Sequence, residues 1–466
     1  MSKLDQNEFE QEYIDQQEEI IPALNVSGEN NKWSREVGFI AWGLLLTSAQ
    51  INHLYLQFIL PTIGVLLLFS GTRSLRGENK RFHTAYILSI LFVIFNFRNL
   101  ILSATPFLNT DTDDAVAGVY FLFELALLRT LRHALNDAFN KYGYEAQRDP
   151  LAWATVWIII VFALAIFVHS ISAVFLLPLL FWDFMIYVSL NRFGPELDKM
   201  GCCSEEPPAK VSTKVVSCAY IVVLAAVVGI CCIHYNHLPQ DAEIYIGPKQ
   251  SDIGEHLIEM GLPSEILNDL TDKDISVLKD CVNIQAGAQD MKFNTAASEP
   301  SMTGTTVYFQ LSEKELYILH YFKWLSGKPY WQDGISIMAD RADADLRLAD
   351  SALLYENNKV TYKAAFPSLN YGNVTTSNVV FGAQQSNQFT GTVSYPFNSQ
   401  CQRGYVLYHL TLNSNQGETC SAMSYMHMQT PFNMPYSSAE EKMLINDLPN
   451  RLRPQTYTFY ELKASP

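Results

Sequence analysis

Four Asp, Glu, Lys or Arg side chains fall inside the long apolar runs of this 466-residue chain: Arg98, Glu124, Arg129 and Asp183. A charge in hydrocarbon is costly unless it is paired, so each marks either a polar path or an ion pair between helices. Counting ~1.5 Å of rise per residue from the helix ends places Arg98 ~6 Å deep, Glu124 ~13 Å, Asp183 ~18 Å and Arg129 ~21 Å. On depth alone Arg98 matches Glu124, and Arg129 matches Asp183. Such pairs serve as salt bridges between helices or as a substrate or ion site, and Arg129 is also long enough to snorkel to the nearer face.

Two groups in the second half could bind a ligand. Trp324, Tyr330 and Trp331 surround Gly327–Lys328–Pro329. Clustered aromatics on a loop make a platform for a sugar or a partner, or else cap a core. The segment DRADADLRLAD carries Asp340, Asp343, Asp345 and Asp350. Alternating carboxylates can hold Ca²⁺, but Arg341 and Arg347 are interleaved, and the Gly and terminal Glu of a calcium loop are missing. A solvated loop with local ion pairs is the expectation, with no metal and no other cofactor.

Enzyme signatures are missing: there is no phosphate-binding glycine loop with Lys-Ser/Thr, no G-x-S-x-G, no H-E-x-x-H and no paired C-x-x-C. Of the eight cysteines, Cys218, Cys231 and Cys232 lie in an apolar run, and Cys202 and Cys203 in a polar loop. Cys281, Cys401 and Cys420 fall in the second half, with Cys401 and Cys420 flanking an expected hairpin. With its turn near Asn415, Cys401 faces about Gln429, which disfavours a bridge to Cys420.

The elements that carry these residues divide the chain. About 20 apolar residues cross a bilayer, and in lipid they must be helical. Spans are expected at Val37–Ile51, Leu54–Ser70, Phe82–Leu102, Ala115–Leu131, Leu151–Val168, Ile171–Leu190 and Val215–Tyr235, giving a seven-span bundle over 37–236 with a lipid bilayer as its first partner. The first is the shortest and could be re-entrant. Residues 1–36 hold nine carboxylates against Lys3, Lys32 and Arg35 and lack the apolar core of a signal peptide, so they read as a disordered tail. The loops after spans two, four and six carry eleven Lys and Arg, and the alternate loops none. That asymmetry puts the basic loops and the tail in the cytoplasm and residues 237–466 outside.

The exported half is expected to be α+β. Ser251–Met260, Ser264–Leu270 and a helix opened by Thr271-x-x-Asp274 form a helical adaptor over 237–284. Residues 285–304 read as a linker. From Thr305 the apolar period becomes two, and ten short strands point to a β-sandwich or jelly roll over 305–466. This half holds 25 Asp and Glu against 16 Lys and Arg, and the whole chain carries −15, so nucleic acid has no electrostatic support as a partner. The best functional expectation is a multi-pass receptor or transporter-accessory module that binds an extracytoplasmic ligand or protein. The alternative is a transporter or channel using the buried charges.

Overall fold

A computed structural model describes residues 32–458 apart from 49–54, 108–109, 142, 145–147, 168–172, 201–210, 239, 250–251, 292–300, 328, 340–344, 379–381, 413–419, 429 and 446–454. The chain divides into two compact units, one built from residues up to Val228 and the other from Gly229 onward, with Ala104–Pro106 counted in the second.

In the first unit the helices are α1 (Lys32–Ser48), α2 (Leu56–Leu75), α3 (Lys80–Ser103), α4 (Thr110–Lys141), α5 (Pro150–Phe167), α6 (Ala173–Asn191), the short α7 (Phe193–Lys199) and the start of α8 (Thr213–Asn236). A helix overlaps each expected span. Among the described residues only α2, α3 and α8 are long and apolar enough to cross a membrane, so seven spans are not supported by length and composition. α1 has 17 residues, the apolar part of α5 is the shorter stretch Pro150–Leu164, and Glu124 and Arg129 interrupt α4. α8 is apolar nearly all round, with Val215, Ile221, Val222, Val223, Ile230 and Ile233 all exposed. An apolar surface all round suits a helix solvated by lipid.

α1 is the hub of this unit and packs against α2, α6 and α7. Glycines let the α1 and α2 backbones touch: a Cβ on Gly43 would lie 2.7 Å from the Leu68 amide nitrogen and 2.9 Å from the Gly64 carbonyl oxygen. Small residues at a crossing are how helices pack closely where lipid supplies no hydrophobic drive. The α1 N-terminus is capped from far along the chain, because Asp198 Oδ1 and Oδ2 accept from the amides of Trp33 and Ser34 at 3.1 and 2.8 Å.

The second unit continues with β1 (Ala242–Ile244), α9 (Asp252–Glu259), α10 (Ser264–Asp269), α11 (Asp272–Val277), β2 (Asn283–Met291), β3 (Met302–Gln310), β4 (Glu315–Trp324), β5 (Asp333–Ala339), β6 (Asp345–Asn357), β7 (Val360–Ala364), β8 (Ser368–Asn378), β9 (Gly382–Val393), β10 (Gln400–Thr411), β11 (Ser421–His427), α12 (Ala439–Ile445) and β12 (Gln455–Thr458). The strands form two sheets, β1-β7-β6-β10-β4-β3-β2 and β12-β11-β5-β9-β8. All the pairings are antiparallel. The expected linker 285–304 therefore contains most of β2 and the start of β3. Its Gly, Ala and Gln residues hide a strand that pairs with β3 from Asn283 to Met291.

The core between the sheets takes Ile318, Phe322, Leu353, Val406 and Tyr408 from the larger sheet and Ile335, Ile337, Phe389, Met423 and Tyr425 from the smaller. The other face of the larger sheet is covered by the three adaptor helices, where Leu257, Ile266, Leu270 and Ile275 pack on Leu319, Tyr321, Leu354, Tyr405 and Leu407. β4 is thus buried on both faces, and its apolar run is continuous rather than alternating. Thr271 and Asp274 form the capping box that opens α11. The layers are helices, seven strands and five strands.

Candidate membrane-proximal cleft

Neither expected charge pair is formed among the described residues. Arg98 Nη1 donates to its neighbour Asn99 Oδ1 at 3.1 Å, and Arg129 is exposed. Glu124 and Asp183 instead lie within electrostatic range of each other. Asp183 is buried and accepts from Ser48 Oγ at 2.9 Å. The correction is one of azimuth. Depth matched the pairs, but it is Glu124 that comes within range of Asp183, while Arg129, ~140° further round α4, is exposed. Tyr120 is one turn from Glu124 on α4, and Tyr187 one turn from Asp183 on α6. Tyr187 lies within electrostatic range of both acids and of Tyr120.

The expected aromatic platform divides. Trp324 is core: it is 5% exposed, its Nε1 donates to the Tyr425 hydroxyl at 3.3 Å, and its ring lies 4.7 Å from His427. Tyr330 and Trp331 stay together and gain Phe397 and His237, which the sequence reading missed. Phe397 is stacked on His237 at 3.9 Å, with Tyr330 and Trp331 edge-on to Phe397 at 5.4 Å each. Tyr330 and Phe397 also line a cleft of about 700 Å³ with Gly327, Asn357, Asn358, Lys359, Asn398, Ser399, Gln400 and Gln402. The signal that could have found Phe397 is the Tyr-Pro-Phe-Asn turn between two strands.

Local backbone chemistry builds this cleft. Asn358 and Lys359 hold φ of 51° and 64°. A two-residue left-handed turn matches the twist of β6 and β7, and Asn tolerates it well. Gly327 turns the opposite wall at φ 111°, which a side chain would resist. Ser399 Oγ donates to the Pro396 carbonyl at 2.6 Å, and Gln402 Nε2 donates to the Ser399 carbonyl at 2.7 Å, which fixes the floor. Amides, one ammonium and two ring faces suit a ligand rich in hydroxyl or amide groups.

The end of α8 is clasped to this wall. His237 Nδ1 donates to the Tyr330 carbonyl at 2.8 Å. Leu238 N donates to Ser394 Oγ at 3.3 Å, and Ser394 Oγ to the Tyr330 carbonyl at 3.1 Å. Buried Asn236 donates to the Pro431 carbonyl at 3.0 Å and accepts from Asn433 Nδ2 at 3.1 Å. Gln332 Nε2 donates to the Tyr235 carbonyl.

The remaining groups form no open site. Asp340 and Asp343 lie outside the described residues. Asp345 is exposed and paired with Arg347 at 2.8 Å, and the described residues contain no acid, His or Cys cluster fit for a metal. Cys281, Cys401 and Cys420 carry no disulfide. The hairpin expected between Cys401 and Cys420 is absent, because β10 and β11 belong to different sheets. Cys202 and Cys203 lie outside the described residues. His320 and Ser421 have the contact of a base and nucleophile, Nε2 to Oγ at 2.6 Å. Yet His320 is fully buried, its Nδ1 meets Thr306 Oγ1 at 3.0 Å, and the Tyr408 hydroxyl donates to Ser421 Oγ at 2.6 Å, so the group is a seam between the sheets. Burial pushes the His320 pKa down to about 3.

No protein-family model matches the chain, and no curated protein matches it. Among solved structures it is similar to a CBM3a-L domain from the scaffoldin of the cellulosome of Clostridium thermocellum, at 8% identity over 30% of this chain and 84% of that one, with a TM-score of 0.17. It is similar to the collagen-binding domain from a Staphylococcus aureus adhesin at 10% identity, over 32% of this chain and 88% of that one, with a TM-score of 0.17. A family IIIA CBD from Clostridium cellulolyticum gives 10% identity, 38% and 91% coverage, and a TM-score of 0.17. At that score the likeness decides nothing, and the two-sheet arrangement rests on the strand pairings themselves.

Proposed function

We propose that this protein is a membrane-embedded receptor whose β domain takes a ligand in the 327–402 cleft and passes its occupancy to α8. One observation carries this reading: two cleft-lining residues, Tyr330 and Phe397, both contact His237, the first residue after a helix apolar enough to span a membrane. A ligand that moves either ring moves the helix end. An exterior β domain requires α4, α5 and α6 to cross the bilayer as well as α2, α3 and α8, and the basic residues after α2, towards and beyond the end of α4, and after α6 support that arrangement. Protease added to intact cells or protoplasts then removes residues beyond about 240 and spares the Arg192–Lys214 loop; cleavage of that loop from outside rejects the orientation.

The test of the site uses the full chain in detergent, titrated with neutral oligosaccharides and short peptides while tryptophan fluorescence is followed. A saturable change in the wild type that Phe397→Ala and Gln402→Ala abolish supports the cleft. Binding that survives both substitutions removes it.

A second reading, a transporter or channel, is favoured by Glu124 on α4 and the buried Asp183 on α6, which lie within electrostatic range of each other. Two acids in one apolar setting are a functional signature in membrane proteins. Solute or ion flux in vesicles that Glu124→Gln and Asp183→Asn both abolish would select it over the receptor.

A further inference from the structure

The base of the β domain exposes apolar side chains where a soluble domain has little reason to. Phe397 is 43% exposed and Phe432 is 55% exposed, with Tyr330 and Trp331 half-buried beside Phe397. Their position along the membrane normal follows from the clasp. α8 has 24 residues and is ~36 Å long, a few ångströms more than the ~30 Å hydrocarbon core, so its last turn reaches the headgroup layer. Asn236, the final residue of that turn, is bonded to Pro431, the neighbour of Phe432. His237 is stacked on Phe397 and bonded to Tyr330. Each of these rings is tied within one or two residues to the point where the helix leaves the hydrocarbon.

We propose that the base of the β domain rests in the headgroup layer of the bilayer, with Trp331, Phe397 and Phe432 as its lipid contacts. Aromatic rings with one apolar and one wet side collect at that depth. The lipid occupant is argued from continuity with α8: no other partner is bound to sit at the end of a membrane-crossing helix. The rim is also polar where headgroups need it, since Asn398 and Lys359 border the same cleft. The contact gives the domain an attachment beyond its covalent link to α8, and it holds whatever the cleft binds.

The experiment uses the full chain in nanodiscs of phosphatidylcholine and phosphatidylglycerol, doped with a phospholipid carrying a photoreactive group at headgroup level. Adducts are mapped by mass spectrometry. The expected result is adducts on residues 329–332, 396–398 and 431–436 as well as on α8, with none on 252–278. Phe432→Ser combined with Trp331→Ser should lower the yield on the base several-fold and leave that on α8 unchanged. Adducts confined to the helices, with Trp331 and Phe432 oxidised by a water-borne radical, overturn the proposal. So does chain-to-chain cross-linking through Phe432 without lipid adducts, which would make the base a contact between copies.

Discussion

Arg403 grips Asp269 through two parallel bonds, Nε to Oδ2 at 2.7 Å and Nη2 to Oδ1 at 2.9 Å. The pair joins β10, at the middle of the larger sheet, to the end of α10, and the Tyr321 hydroxyl donates to the same carboxylate at 2.8 Å. The adaptor helices are therefore a layer of the β domain.

Asp269→Ala should cost up to about 3 kcal/mol, since it leaves a guanidinium only 12% exposed with Glu356, at 3.8 Å, as its remaining counter-charge. Replacing both partners, as Asp269→Leu with Arg403→Met, should recover much of that loss. Urea denaturation of the full chain in detergent, followed by tryptophan fluorescence, reads both; equal losses in single and double variants would show that the layer does not depend on this pair.

His320 sets an acid limit. It stays neutral when folded because burial lowers its pKa from 6.5 to about 3, whereas the unfolded chain takes up the proton below 6.5. The unfolded state binds more protons in that window, so stability falls with pH by up to about 1.4 kcal/mol per unit. His427 has the opposite sign: burial alone would lower its pKa, but Asp333, 3.0 Å from Nδ1, outweighs this and raises it. Its contribution is present below 6.5 and is lost as pH rises through the raised value. Denaturation midpoints measured from pH 7.5 down to 4 should show an acid slope that His320→Gln flattens. A slope unchanged by that substitution would assign the acid limit elsewhere.

Glu124→Gln or Asp183→Asn should leave expression at the wild-type level or raise it, because each removes one of two acids within electrostatic range of each other in an apolar setting. Arg98→Gln and Arg129→Gln should be silent in combination with either. A loss of folded protein in Glu124→Gln that Arg98→Gln restores would instead reinstate the ion pair matched by depth.

Gly43→Ala should destabilise the helical unit by about 1–3 kcal/mol, because its Cβ would press on backbone rather than on a side chain that can move. Gly118→Ala, with nothing within 4 Å of its Cβ, is the control. Thermal aggregation in detergent compares them, and equal behaviour of the two would show that the α1–α2 backbone contact is dispensable.

Apolar run length made the helices legible, since it survives whatever they pack against. Period two made most strands legible for the same reason. What the sequence hid were relations that a local pattern does not encode. β2 pairs along its whole length yet offers Gly-Ala-Gln rather than apolar residues, because it is an edge strand. The turn residues 413–417 mark a reversal but not a change of sheet, so β10 and β11 looked like a hairpin. Trp324 and Trp331 are seven residues apart in one aromatic group, and only the pairing of β4 decides that the first points into the core. Depth along a helix can be counted from its ends, while the facing side depends on the neighbours, and that is where Arg129 and Asp183 parted.

The clasp at Asn236 also imposes a timetable on the newborn chain. Its partner Pro431 lies 195 residues further on. At ~5–20 residues per second, the helix end waits about 10–40 s before that partner has been synthesised. During the wait the Asn236 amide nitrogen keeps its bond to the Cys232 carbonyl at 2.9 Å, while its oxygen and the ring of His237 are satisfied by water, which is possible at the edge of a bilayer but not within it. The polar residues that end α8 thus hold the joint open until the last strands arrive to close it. A chain cut short before 431 would carry a membrane helix with an unfinished seat, a mark that distinguishes it from one extended past Asn433.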